Sequence, residues 1–60
     1  MAGKFEVYRD ASEKYRFRLK ASNGEIIATG EAYYSKQACL NGVESVKRNA
    51  PDAVVEEIDE

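Results

Sequence analysis

The chain has 60 residues, with nine basic and eleven acidic side chains for a formal charge of −2, one cysteine and no histidine. A single cysteine forbids an intrachain disulfide, and the missing imidazoles remove the usual zinc ligand sets and every Cys/His catalytic pair. So nearly balanced a charge exerts no global pull on a polyanion, and no run approaches the ~20 apolar residues of a membrane-spanning helix.

A domain this short buries only about 60% of the surface its unfolded chain exposes. With neither disulfide nor metal to add stability, association with a second subunit is the expected support. Hydrophobic residues make up 43% of the chain and four tyrosines and two phenylalanines are present, which fits a folded protein. No repeat, low-complexity tract or linker divides the sequence, so one domain over residues 1–60 is expected. The unpaired cysteine and the lack of an apolar leader point to the cytoplasm.

In chain order, Phe5 and Val7 alternate with Glu6 and Tyr8 and predict a strand over residues 4–9. From Lys14 to Ala21 the set Tyr15, Phe17, Leu19 and Ala21 alternates with Arg16, Arg18 and Lys20, a second strand with one dry and one wet face. Opposed residues of an antiparallel pair share a face, so Phe5 and Val7 must oppose Tyr15, Phe17 or Leu19. A four-residue loop would set Val7 against Arg16. A three- or five-residue loop, or a bulge near residues 10–14, satisfies the parity.

Asn23-Gly24 predicts a two-residue type I′ hairpin, opposing Ala21 to Ile26 and Leu19 to Ala28, with a third strand over residues 25–30 and Ile27 on the side of Lys20. Ser35 is placed to cap a helix starting near Lys36. Cys39, Val43, Val46 and Ala50 form its apolar stripe, and small residues at 38 and 42 permit close approach to the sheet. Lys47 and Arg48 suit the last turn, and Pro51 stops the helix near Asn49 or Ala50. Residues 53–58, short and β-branched, predict a final strand with Val54 and Ile58 on one face and Val55 on the other. The pattern leaves open whether that strand crosses to a second subunit or edges its own sheet.

Three blocks stand together: Tyr15 to Ala21 running into Asn23-Gly24-Glu25; Glu31-Ala32-Tyr33 with Ser35-Lys36; and Glu44 to Ala50. Together they resemble the YegP-like family of small, mostly bacterial proteins of unknown function, over about Phe5 to Ala53. The resemblance implies an α+β fold, a β3-α-β unit whose antiparallel sheet carries one helix on one face. It also implies that the unit occurs as tandem copies or as a homodimer with exchanged C-terminal strands. Glu13 stands where glycine is common in that family and Ala32 where Glu-Gly-Tyr is usual. The first suggests a different loop geometry and the second a negative φ at residue 32. The family brings no catalytic residues to carry over.

Arg16, Arg18 and Lys20 form a basic row on the wet face of the second strand, a candidate surface for nucleic acid or another polyanion. Glu6 on the neighbouring strand can neutralise part of it, which makes a solvated, self-paired face the plainer account. Cys39 near the start of the helix has the position of an activated thiol, yet it lies on the apolar stripe with no histidine to activate it. The acidic end from Asp52 to Glu60 lacks the spacing of a cation-binding loop. Tyr33 and Tyr34 offer a cleft lining or a staple against the helix. The expected function is therefore a non-enzymatic homodimeric interaction module, with Val54, Val55 and Ile58 as its dimer strand and polyanion binding through the basic row as the alternative. No cofactor, metal, membrane or small-molecule substrate is expected.

Overall fold

Alternation of apolar and charged side chains makes the segment from Tyr15 to Lys20 the centre of the sheet. The computed structural model describes residues 2–59. It contains strands β1 (Lys4–Arg9), β2 (Tyr15–Lys20) and β3 (Ile26–Thr29), then helix α1 (Lys36–Asn49) and a single 3₁₀ turn, Ala50–Asp52. The sheet order is β1-β2-β3 and both pairings are antiparallel. Val7 opposes Phe17 and Phe5 opposes Leu19, while Glu6 opposes Arg18 and Tyr8 opposes Arg16. The parity expected from the sequence is satisfied, with Asp10 to Lys14 connecting the strands.

Within that connection Asp10 does most of the ordering. Its N–H donates to the Lys14 carbonyl and its carbonyl accepts from the Glu13 N–H, both at 2.9 Å. Its Oδ1 accepts from the backbone N–H groups of Ser12 (2.9 Å) and Lys14 (3.0 Å). Glu13 is thereby held at φ 62°, the left-handed region that favours glycine. The expectation that glutamate at 13 changes the loop geometry is corrected: the backbone keeps the conformation glycine would take, because the Asp10 side chain holds the turn on both sides.

The second hairpin corrects the two-residue turn. The Gly24 N–H donates to the Ala21 carbonyl (2.9 Å) and the Ala21 N–H to the Glu25 carbonyl (2.8 Å), so Ser22, Asn23 and Gly24 form a three-residue loop. Only Gly24, at φ 90°, takes the left-handed conformation. A type I turn followed by one left-handed residue needs φ > 0 at one position, whereas type I′ needs it at two. Asn23 instead uses its Oδ1 to accept the Glu25 N–H at 3.0 Å. Ala21 therefore faces Glu25 and Lys20 faces Ile26, in place of the Ala21–Ile26 pair expected. A bulge between Leu19 and Lys20 then restores the expected Leu19–Ala28 pair.

Beyond β3 the chain stays against β2. The Gly30 N–H donates to the Phe17 carbonyl, and Tyr15 and Tyr33 exchange backbone hydrogen bonds of 2.8 and 2.7 Å. Ala32 keeps the negative φ expected of it. The Ser35 hydroxyl accepts the Ala38 N–H at 3.1 Å, with Ser35 itself extended, so the helix starts where its cap predicts. Phe17, Cys39 and Val43 are the buried core, bordered by Phe5, Val7, Tyr15, Tyr33 and Val46. A Cβ at position 42 would lie 2.5 Å from Tyr33 Oη, which is why the helix can approach this closely only with glycine there. Helix α1 packs on β1 and β2 and leaves β3 uncovered.

The fourth strand is absent from the single chain. Residues 53–59 form no regular secondary structure, and Val54, Val55 and Ile58 are 86%, 97% and 71% exposed. Ala53 turns the chain into extended backbone, with φ −70° and ψ 133°. An extended segment gains hydrogen bonds only from a neighbouring edge, and here none lies beside it. Among the described residues no helix is long and apolar enough to cross a membrane.

Candidate functional site

The sheet face opposite the helix is built by alternation: Lys4, Glu6 and Tyr8 from β1 and Arg16, Arg18 and Lys20 from β2 project there because Phe5, Val7, Phe17 and Leu19 project to the core. Glu6 is its hub. Arg18 Nε donates to Glu6 Oε1 at 2.7 Å, Lys20 Nζ lies 3.4 Å from the same oxygen, and Lys4 Nζ lies 3.6 Å from Oε2. The hydrogen bond from Arg18 and the charge of Lys20 hold the Glu6 carboxyl below its ordinary pKa, against a smaller opposing effect of burial. The Arg18 guanidinium also lies over the Tyr8 ring, 4.9 Å from its centroid.

Arg16 plays a different part. Its Nη1 lies 3.9 Å from Asp10 Oδ2, its Nη2 donates to the Gly30 carbonyl at 3.2 Å, and its Nε is buried without a partner. It ties the first loop to the segment after β3, a contact between residues fourteen apart that no local pattern announces. The three members of the basic row are thus brought together on one face, and each is engaged within the chain. One carboxylate against Lys4, Arg18 and Lys20 still leaves an excess of two positive charges around Glu6.

Cys39 is completely buried, and burial raises its thiol pKa, the opposite of what an activated nucleophile requires. Tyr33 stacks on Phe17 with centroids 6.4 Å apart and abuts Gly42, which makes it the tyrosine that packs against the helix. Tyr34 is 88% exposed, with Lys14 Nζ 4.8 Å from its ring centroid. The two tyrosines do not line a common cleft. Among the described residues no three His, Cys, Asp or Glu side chains come together as a cation site.

Val54, Val55 and Ile58, expected as a dimer strand, stand exposed and pack on no surface of their own chain. A second apolar surface was read only in part: Ile26 and Ile27 on β3 are 52% and 59% exposed, and of the two the sequence placed Ile27 on the side of Lys20 but set Ile26 against Ala21, whereas Ile26 pairs with Lys20. The signal for it was the adjacent Ile-Ile pair, since two consecutive apolar residues in a strand cannot both face one core.

Residues 10–57 match the family described as Domain of unknown function (DUF1508). A UPF0339 protein of Treponema denticola is 69% identical over 58 residues, which cover 97% of this chain and 100% of that protein. The UPF0339 protein of the ptx operon 5′ region in Stutzerimonas stutzeri is 60% identical over 52 residues, covering 87% of this chain but 47% of the relative, so the chain spans about half of that protein's length. The solution structure of a Haloferax volcanii protein superposes with a TM-score of 0.86 at 57% identity, covering 95% of this chain and 97% of that one. These matches coincide with the YegP-like resemblance of the sequence blocks and with the α+β arrangement of three antiparallel strands and one helix.

Proposed function

We propose that this chain, which belongs to the DUF1508 family of proteins with no assigned function, is a non-enzymatic interaction module that works as a homodimer by exchanging its C-terminal segments. The exposed tail carries this reading: Val54, Val55 and Ile58 stand in solvent beside a core of three buried side chains among the described residues. The accessible surface is 5027 Å² for a mass of 6.7 kDa, whereas a folded monomer of that mass exposes roughly 3900 Å². The radius of gyration, 12.9 Å, likewise exceeds the about 10.4 Å of a compact chain this long.

Magnitudes favour association. Burying a valine or isoleucine contributes roughly 1.5–3 kcal/mol, and a symmetric dimer would bury six such tail side chains, against an association cost of about 4–15 kcal/mol. The Stutzerimonas relative, about twice the length of this unit, fits the alternative of two units in one chain. A free thiol in the core suits the reducing cytoplasm. Nucleic acid is not the favoured partner, because Glu6 and Asp10 already engage the cations that would meet phosphate. The partner is a second copy, without membrane, cofactor or small-molecule substrate.

Light scattering of the full chain across a wide concentration range tests the reading, beside the double variant Val54→Asp/Ile58→Asp. A dimeric parent and a folded, monomeric variant support it. A parent that stays monomeric at every concentration removes it.

A further inference from the structure

We infer that Asn23-Gly24, at the tip of the β2–β3 hairpin, is a site of spontaneous deamidation, and that helix α1 withholds the same reaction from Asn41-Gly42. The chain carries this dipeptide twice, and a glycine after asparagine obstructs ring closure least because it has no Cβ. Both asparagines are exposed, so access to water does not separate them. Their side chains point opposite ways along the chain. Asn23 reaches forward: its Oδ1 accepts the Glu25 N–H at 3.0 Å, which folds the carboxamide over the Gly24 peptide. Asn41 reaches back: its Oδ1 accepts from Gln37 Nε2 at 3.0 Å, one helical turn earlier, the direction in which a helix tilts every Cβ. The helical repeat also commits the Gly42 N–H to a carbonyl of the preceding turn. The Gly24 N–H is held by one bond, to the Ala21 carbonyl at 2.9 Å, and a bond at an exposed hairpin tip opens without loss of the core. The space beside Gly24 is open, with nothing within 4 Å of where a Cβ would stand, so the loop has room for the ring.

The reaction needs only water and hydroxide. Hydroxide removes the Gly24 amide proton, the nitrogen forms a bond to Asn23 Cγ, and the carbonyl electron pair moves onto Oδ1, to which the Glu25 N–H already donates. As that pair returns, the Cγ–Nδ2 bond breaks and Nδ2 leaves as ammonia with a proton from water, which regenerates the hydroxide and leaves a succinimide. Water then opens the ring. Opening at Cγ gives aspartate, and opening at the backbone carbonyl gives isoaspartate, whose main chain runs through Cβ and Cγ. One water enters, one ammonia leaves, and nothing is oxidised or reduced. The products differ in what they do to the hairpin. Aspartate keeps an acceptor where Oδ1 stands, now charged, so the Glu25 N–H stays satisfied. Isoaspartate adds a methylene to the main chain of a loop whose ends are fixed by the Ala21–Gly24 and Ala21–Glu25 hydrogen bonds, and β3 loses the turn that sets its register.

The experiment incubates the full chain at mildly alkaline pH, folded and in parallel in urea, and digests samples with trypsin. Asn23 then falls on the peptide of residues 21–36 and Asn41 on that of residues 37–47. Mass spectrometry reads in each the gain from replacing –NH2 by –OH. In the folded chain Asn23 should react at least about tenfold faster than Asn41, since a hairpin tip opens at a far smaller free energy than a helix packed on the core. In urea the two rates should converge to within about threefold, because the unfolded ensemble holds neither side chain in place. Equal rates in the folded chain overturn the inference. So does a preference that persists undiminished in urea, which would place it in the flanking residues and not in the fold. Hydrogen exchange tests the consequence: amides of residues 26–29 should exchange faster in isoaspartate-bearing chains than in the parent, while Asn23→Asp should match the parent. Isoaspartate-bearing chains protected as the parent is would overturn the loss of β3 register.

Discussion

Arg18 Nε donates to Glu6 Oε1 at 2.7 Å, directly across the β1–β2 pair that sets their positions. That hydrogen bond, with Lys20 beside it, lowers the folded-state pKa of Glu6 below its unfolded value. A carboxyl lowered on folding stabilises the fold fully above its unfolded pKa and ceases to do so as pH falls through the folded one. In urea melts at fixed protein concentration, the stability gap between the parent and Glu6→Gln should therefore be constant near neutrality and close through the acid range. A gap that does not change with pH would show that the pair acts through shape and not through charge.

Glu13 at φ 62° stores strain that glycine would not, of the order of 1 kcal/mol for a left-handed residue with a Cβ. Its ion pair with Arg9 at 3.2 Å joins two exposed side chains, and such pairs contribute about 0.2–1 kcal/mol at most. Relief of strain is the larger effect, so Glu13→Gly should stabilise the protein by up to about 0.8 kcal/mol. Thermal melts should rise by up to roughly 6 °C, given about 4–8 °C per kcal/mol in so small a domain. An unchanged or lower midpoint would mean that the ion pair and the chain entropy of glycine outweigh the backbone.

The two loops mark where local pattern ends and context begins. Alternation over Tyr15–Leu19 and the Cys39–Val43–Val46 stripe are properties of short segments, and burial of one face leaves them a single reading; both elements form as expected. Asn23-Gly24 announces a turn but not its length, because Asn23 can satisfy the backbone through its side chain without entering the left-handed region itself. Glu13 was unreadable for a related reason, since the group that holds it in place is Asp10, three residues back. On the candidate face, alternation shows which side Arg16, Arg18 and Lys20 take. Their partners follow from register, and Arg16 meets the Gly30 carbonyl only through the complete sheet. The final strand expected of the apolar, β-branched run at residues 53–58 does not form, because a strand needs an edge to pair with and the single chain brings none beside it.

Gly42→Ala sets two effects of known size against each other. Alanine gains about 1 kcal/mol of helix propensity over glycine, while the new Cβ would stand 2.5 Å from Tyr33 Oη and 2.9 Å from Cζ. The Tyr33 ring is held by its stack on Phe17 and cannot simply swing away. Overpacking of this kind costs about 1–3 kcal/mol, so the variant should be less stable by up to about 2 kcal/mol. In a Tyr33→Phe background the nearest atom is gone and the loss should shrink, a coupling that a double-mutant cycle in urea reads directly. Additive effects would place the cost of the alanine elsewhere in the helix.

Cys39 reports on opening of the whole core. Its thiol is inaccessible and its pKa raised by burial, so a thiol reagent at mildly alkaline pH can reach it only when α1 lifts from the sheet. Labelling of the native chain should be slower than in denaturant by the fraction of time the core is open, which for a marginal 60-residue fold is a factor of about 10²–10⁴. In a dimer held by exchanged tails, opening competes with subunit binding, so the labelling rate should fall as protein concentration rises. In a chain that folds alone it should not depend on concentration at all. Val54→Asp/Ile58→Asp should convert the first behaviour into the second, and labelling that is concentration-independent in the parent would detach the stability of the core from the tail.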